Sequence, residues 1–297
     1  MLTYYVYLLA SFIAPRLPRS LGYALCDFFG DAAYRLGGQA RTAVRANLRH
    51  VLGRRPPDAV VRETFRNQAR NYFETFVIPS LSSIDLARWA TVEGVEHLEA
   101  ALLLGRGVIL AGMHLGNPSL AAQALAERGW GLRIVVESIE PPALHDLITR
   151  LRTKNGVEMI PLNEPSIARR LIRELRGNNV LGLMLDRELT GNGALIPFFD
   201  QPAMLSVGPA TLALATGAVI CPSLTLRRDD GRVHGIIDQA IDFTRSSDRE
   251  SDILALTRRV AERFEYYIGQ APGQWTLFVP VWNRPPGVPA VLRHTTT

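Results

Sequence analysis

The chain is poor in the features that would announce several large protein classes. It has two cysteines, Cys26 and Cys221, far apart and in no CxxC. Neither a disulfide framework nor a cysteine metal site is implied, and a reducing compartment is the default. No zinc-knuckle, RNA-recognition or helix-turn-helix signature is present, so a nucleic-acid partner is not expected. No G-x-S-x-G turn occurs, which leaves a hydrolase built on Ser119 or another serine without its usual elbow. Internal repeats and low-complexity tracts are missing too. The segment with a targeting flavour, Leu2 to Ala14, is 13 residues without a charge, short of the roughly 20 that cross a hydrocarbon core. No basic stretch precedes it and no small-residue cleavage site follows, which argues against a signal peptide.

What is present is an ordinary globular composition, 47% hydrophobic and 21% charged over 297 residues, with a mean hydropathy of +0.06. The net charge is +5, nearly all of it from arginine, and it suits anionic lipid or phosphorylated carriers. Arg16 and Arg19 follow the apolar amino-terminal run, which reads as an interfacial anchor with tyrosines at headgroup depth. The alternative is a buried first helix.

Three zones are expected: a helical, membrane-associated region over 1–83, an α/β core over 84–282 and a loosely ordered tail over 283–297. In the first, Arg41 to Leu52 and Val61 to Phe76 carry apolar groups at helical spacing with arginines on the other face. In the second, short apolar runs at Gly107–Ala111, Leu132–Val136, Val157–Ile160, Val180–Leu185 and Ala218–Leu226 read as strands. Helices are expected at Pro118–Arg128, Ala143–Lys154 and Pro165–Arg176, and a further strand over Val233–Ile237 is expected to pair with the fifth. Such alternation predicts an α/β fold with a mainly parallel central sheet flanked by helices, its ligands beyond the carboxyl ends of the strands.

Two motifs fall at those ends. His114, in Gly112-Met-His-Leu-Gly-Asn-Pro-Ser119, follows a strand and precedes a helix that Pro118 opens well. Gly116 lets a substrate approach the backbone, and a histidine there can take a proton from an attacking hydroxyl. The bland alternative is a structural histidine after a strand. Asp186-Arg187-Glu188 ends the fourth strand, where a carboxylate can orient an imidazole and an arginine can hold a phosphate. Its bland alternative is a solvated turn with an internal salt bridge. Arg169, Arg170 and Arg173 form a solvated helix face or a carrier-binding one, Trp275 and Trp282 read as core or interfacial, and the helix after Gly208-Pro209 packs close to the sheet.

The stretch from Val92 to Trp282 resembles the bacterial lysophospholipid acyltransferase superfamily, and most of all its branch of lipid A late acyltransferases and phosphatidylinositol mannoside acyltransferases. The residues that carry the likeness are Glu93-Gly-Val-Glu-His97-Leu, Gly105-Arg-Gly-Val-Ile-Leu leading into His114-Leu-Gly-Asn117, and Leu185-Asp-Arg-Glu-Leu-Thr-Gly with Pro197-Phe-Phe. Gly208 to Ala218 and Pro272-Gly-Gln-Trp275 complete them, and Arg45-Ala-Asn47-Leu fits as well. The resemblance implies acyl transfer from acyl-CoA or acyl-carrier protein to a lipid or glycolipid hydroxyl, on the cytoplasmic face of the bacterial plasma membrane with its anionic lipid. It implies His114 as general base in an H-x4-D/E motif, with no metal or redox cofactor. Here the sequence departs, because Ser119 stands where the family has an acid and Pro118 replaces the usual tryptophan. In the mannoside branch a later acid partners the histidine, which implies Asp186, with Glu188 as the alternative. Glu137 matches another family acid, and Arg187 a ligand for phosphate or for the carbonyl oxygen. Asn117 and Ser119 join Gly116 as candidate substrate contacts. The missing acid at 119 keeps a second expectation open, a catalytically impaired lipid-binding relative.

Overall fold

The computed structural model describes residues 2–282, and the expected tail over 283–297 lies outside them. Four helices lead the chain: α1 Leu2–Ile13, α2 Arg19–Leu36, α3 Gly38–Leu52 and α4 Asp58–Val77. Helix α1 buries none of its residues. Only its Tyr4, Tyr7 and Ala10 lean on the apolar cluster around Phe73 and Phe76 of α4. Helix α2 lies along α4 through two bidentate pairs, Arg66 with Asp31 and Arg70 with Asp27. Its other face is open, with Phe28 and Phe29 each more than 60% exposed. Among the described residues no helix is long and apolar enough to cross a membrane.

Beyond them run α5 Ser83–Trp89, β1 Ala90–Glu93, α6 Val95–Leu102, β2 Val108–Gly112, α7 Pro118–Ala126, β3 Leu132–Val136, α8 Pro142–Arg152, β4 Glu158–Pro161, α9 Ile167–Arg176 and β5 Val180–Met184. The chain continues through β6 Ala194–Phe198, β7 Gln201–Leu205, α10 Gly208–Thr216, β8 Val219–Arg227, β9 Val233–Ile237 and α11 Arg249–Gln270. Seven strands form one sheet in the order β1-β9-β8-β2-β5-β3-β4. It is parallel from β8 to β4, and β9 returns antiparallel to β8 and pairs in parallel with β1. The fold is therefore α/β with a mostly parallel sheet between helices. All five residues of β2 are buried, as a central strand covered on both faces should be.

The expected strands and crossover helices fall within a few residues of their observed limits. Edge strand β1, helix α6, the two strands of the β6–β7 hairpin and helix α11 were not expected. Helix α11 stacks Leu256, Val260, Phe264 and Ile268 at four-residue spacing into the main core, where they meet Trp275 and Leu277.

Candidate active site

The sheet register brings the two motifs together. Gly112 of β2 pairs with Met184 of β5, so the residues two steps beyond each, His114 and Asp186, leave the same edge side by side. The imidazole Nδ1 lies 2.8 Å from Asp186 Oδ1, and the backbone N–H of His114 donates to Oδ2 at 2.8 Å. A third donor, the indole N–H of Trp275, reaches Oδ2 at 2.8 Å. The Asp186 side chain is fully buried, whereas that of His114 is 36% exposed. With Nδ1 holding its proton against the carboxylate, Nε2 keeps a lone pair.

Opposing forces set the proton affinities of the pair. Burial pushes the His114 pKa down, but the charge and hydrogen bond of Asp186 together outweigh it and hold the value above the ordinary one. Burial likewise pushes Asp186 up, and the imidazole, the indole and the His114 amide overcome it and hold the carboxyl below its usual range. A carboxylate fixed by three donors can orient an imidazole, and an imidazole open on one side can accept a proton.

The histidine loop is held from several sides. Thr276 N–H donates to His114 C=O at 2.8 Å, and Gly116 N–H donates to Gln274 C=O at 3.0 Å. Gly116 has φ +61°, and a β-carbon there would fall 2.4 Å from the Thr225 carbonyl oxygen, so close packing demands glycine. Asn117 caps α7 by accepting from Leu120 N–H at 3.2 Å, and its amide donates to Glu74 at 2.6 Å. Its side chain is thus buried and spoken for within the protein.

His114 opens on a cleft of about 1170 Å³. One wall comes from Phe29, Ala33 and Phe65 of α2 and α4. The floor is apolar, with Val135, Met159, Leu171, Leu183, Pro209 and Leu212 from the sheet, α9 and α10. Ser119 sits on the cleft wall in the first turn of α7. Glu137, just past β3, pairs with Arg187, whose Nη2 lies 3.1 Å from Oε1; both line the cleft. Glu188 also reaches the cleft, but its carboxylate turns back to the Thr190 hydroxyl at 2.7 Å, leaving the imidazole to Asp186. Arg169 and Arg173 are exposed on the outer face of α9, while Arg170 pairs with Glu158 and Glu164.

Two members of the site escaped the sequence reading. Trp275 is core, as expected, yet it also donates to Asp186. Arg152, at the end of α8, lines the cleft with its Nε buried and without a hydrogen-bond partner. Its charge opposes protonation of His114. Among the described residues no group of three His, Cys, Asp or Glu stands ready to hold a metal ion.

A profile of the bacterial lipid A biosynthesis acyltransferases matches residues 1–284. The chain belongs to that family. Within it, a phosphatidylinositol mannoside acyltransferase of Mycobacterium tuberculosis is 34% identical over 247 residues, 80% of this chain and 76% of the relative. Another of that name from Mycolicibacterium smegmatis is 30% identical over 277 residues, 90% and 88% of the two chains. A lipid A biosynthesis lauroyltransferase of Escherichia coli is 23% identical over 281 residues, covering 93% and 90%. The protein is thus an acyltransferase of the lipid A and phosphatidylinositol mannoside type.

Proposed function

We propose that this family member works on a membrane surface, taking a fatty acyl group from acyl-CoA or acyl-carrier protein and placing it on a hydroxyl of a lipid or glycolipid, with His114 as general base. The observation that carries the reading is the buried, triply bonded Asp186 behind an imidazole that faces a large apolar cleft. The acceptor O–H gives its proton to Nε2 as its oxygen attacks the thioester carbonyl. The tetrahedral intermediate then collapses with cleavage of the C–S bond, and the imidazolium returns the proton to the departing thiolate. No covalent acyl-enzyme is needed, and no metal or redox cofactor takes part. Arg152, the first turn of α7 and Arg187 supply positive charge for the oxyanion or for a substrate phosphate. Glu137 holds Arg187, and Gly116 and Ser119 shape the entrance. The apolar floor accepts the acyl chain.

Membrane docking is supported by the open apolar faces of α1 and α2, with Leu2 80% exposed, and by the exposed Arg16 beside them, whereas Arg19 turns inward to Tyr23 and Gly231. Phe29 belongs both to that face and to the cleft, so a lipid acceptor can enter from the membrane without crossing water. We place the protein on the cytoplasmic face of the bacterial plasma membrane, where thioester donors and anionic lipid meet. The rival, a lipid-binding relative without turnover, rests on Ser119, where the family resemblance calls for an acid. Against it, the imidazole already has its carboxylate partner in Asp186.

The test is transfer of label from palmitoyl-CoA, and from palmitoyl-carrier protein, to a bacterial lipid extract by detergent-purified wild type. Labelling of one lipid class identifies the acceptor. Tight donor binding with neither transfer nor hydrolysis would support the impaired relative instead.

A further inference from the structure

Glu74 of α4 and Arg227 at the end of β8 form an ion pair with side chains 0% and 4% exposed, away from the reacting groups. A pair so buried contributes little net stability compared with apolar residues of the same size, so its connections are the informative feature. Glu74 Oε2 accepts from Arg227 Nη2 at 2.9 Å and from the Asn117 amide at 2.6 Å. Arg227 Nη2 also donates to Asn71 Oδ1 at 2.9 Å, and the Asn71 amide donates to Gly116 C=O at 2.6 Å. The arginine's own backbone is gripped by Gln274, which donates to its carbonyl at 2.8 Å and accepts from its N–H at 2.6 Å. On the far side, Arg227 Nη1 donates to the Tyr23 hydroxyl of α2 at 2.9 Å, and Arg19 reaches the same oxygen at 3.1 Å.

The chain of bonds therefore begins on α2, crosses α4 and β8, and ends on the two residues that follow His114-Leu115. We infer that Glu74 and Arg227 are positioning residues of the acyl-transfer reaction: through Asn117 and Asn71 they fix the Gly116–Asn117 backbone, and so the placement of His114 against the acceptor hydroxyl. This inference rests on His114 being the base. Asp186 sets the tilt and tautomer of the ring from one side, and the buried pair sets the height of its loop from the other. Because Tyr23 and Arg19 belong to the helix with the open apolar face, the same bonds tie that face to the base.

The experiment compares wild type, His114→Ala, the double variant Glu74→Met/Arg227→Met, and Asn71→Ala in transfer from labelled palmitoyl-CoA. Thermal midpoints and donor binding are measured on the same preparations, and rates are taken well below each midpoint. The double variant removes both charges together and so avoids leaving either one unpaired. It is expected to bind donor with a KM within about twofold of wild type while kcat falls about 100-fold, the scale of a misplacement near 1 Å. Asn71→Ala keeps the ion pair while removing the link to Gly116 together with one hydrogen bond of Arg227, and it is expected to lose about tenfold in kcat with donor KM unchanged. Asn71→Ala decides the matter if the double variant does not fold. Wild-type kcat in a folded variant, or a loss no larger than the loss of folded protein, would overturn the inference. Full activity in His114→Ala would instead remove the reading beneath it, so the two failures are distinguishable.

Discussion

The sheet carries two histidine–carboxylate pairs, and they are built in opposite senses. In the His114–Asp186 pair the carboxylate is fully buried and the imidazole is 36% exposed on the cleft. In the other, His234 of β9 is only 10% exposed and its partner Glu93 is 54% exposed. Asp186 receives three donors from the protein, whereas Glu93 stands 2.8 Å from one ring nitrogen and otherwise faces water. The second ring nitrogen of His234 meets the Thr91 hydroxyl at 2.7 Å, so neither nitrogen is open to a substrate. The same two residue types make the proposed base in one place and a strand-edge fastening in the other. What separates them is which partner is buried and whether one nitrogen stays unoccupied beside a cleft.

Substitutions can break or sharpen that contrast. Asp186→Asn is expected to have the largest effect among the partners of His114. It offers the ring the wrong hydrogen-bond pattern and so holds the wrong tautomer, and kcat should fall by about 10⁴-fold with little change in donor binding. His114→Ala should cost as much, about 10⁴-fold in single-turnover transfer, because Asp186 acts through the ring, and it should lower the thermal midpoint by taking a donor from the buried carboxylate. Trp275→Phe removes one donor from the buried carboxylate. It should lower stability by about 1.5–3 kcal/mol, read by urea denaturation, with a smaller loss of rate. His234→Ala should leave transfer within about twofold while costing about 1 kcal/mol for the lost Thr91 hydrogen bond. A large loss of kcat there would erase the distinction between the two pairs.

Much of the fold could be read from the sequence because buried parallel strands are short apolar runs of recognisable length. Val108-Ile-Leu-Ala-Gly112 and Leu132-Arg-Ile-Val-Val136 are of this kind, and each is followed by a helix with a proline near its start. The β6–β7 hairpin was hidden because its turn is Phe199-Asp200, both at positive φ. The usual Asn-Gly or Asp-Gly signal of such a turn is missing. Helix α11 was visible in principle, since Leu256, Val260, Phe264 and Ile268 keep strict helical spacing. Placing His114 and Asp186 at the same edge of the sheet needed only the strand assignments and the family likeness. Trp275, Arg152 and the Glu74–Arg227 pair could not be assigned in this way. They reach the site across separations such as the 89 residues between Trp275 and Asp186, and local spacing says nothing about contacts of that range.

The pairing at the centre of the mechanism is tested most directly by the pH dependence of kcat/KM for acyl transfer in wild type and Asp186→Asn. A general base works deprotonated, so the wild-type rate should rise with pH through an inflection above about 6.5, the ordinary histidine value. Removing the Asp186 charge leaves burial as the main influence, and the inflection in Asp186→Asn should move to lower pH on a much reduced rate. Coincident inflections in the two proteins would contradict the assignment of Asp186 as the partner that sets the proton affinity of His114.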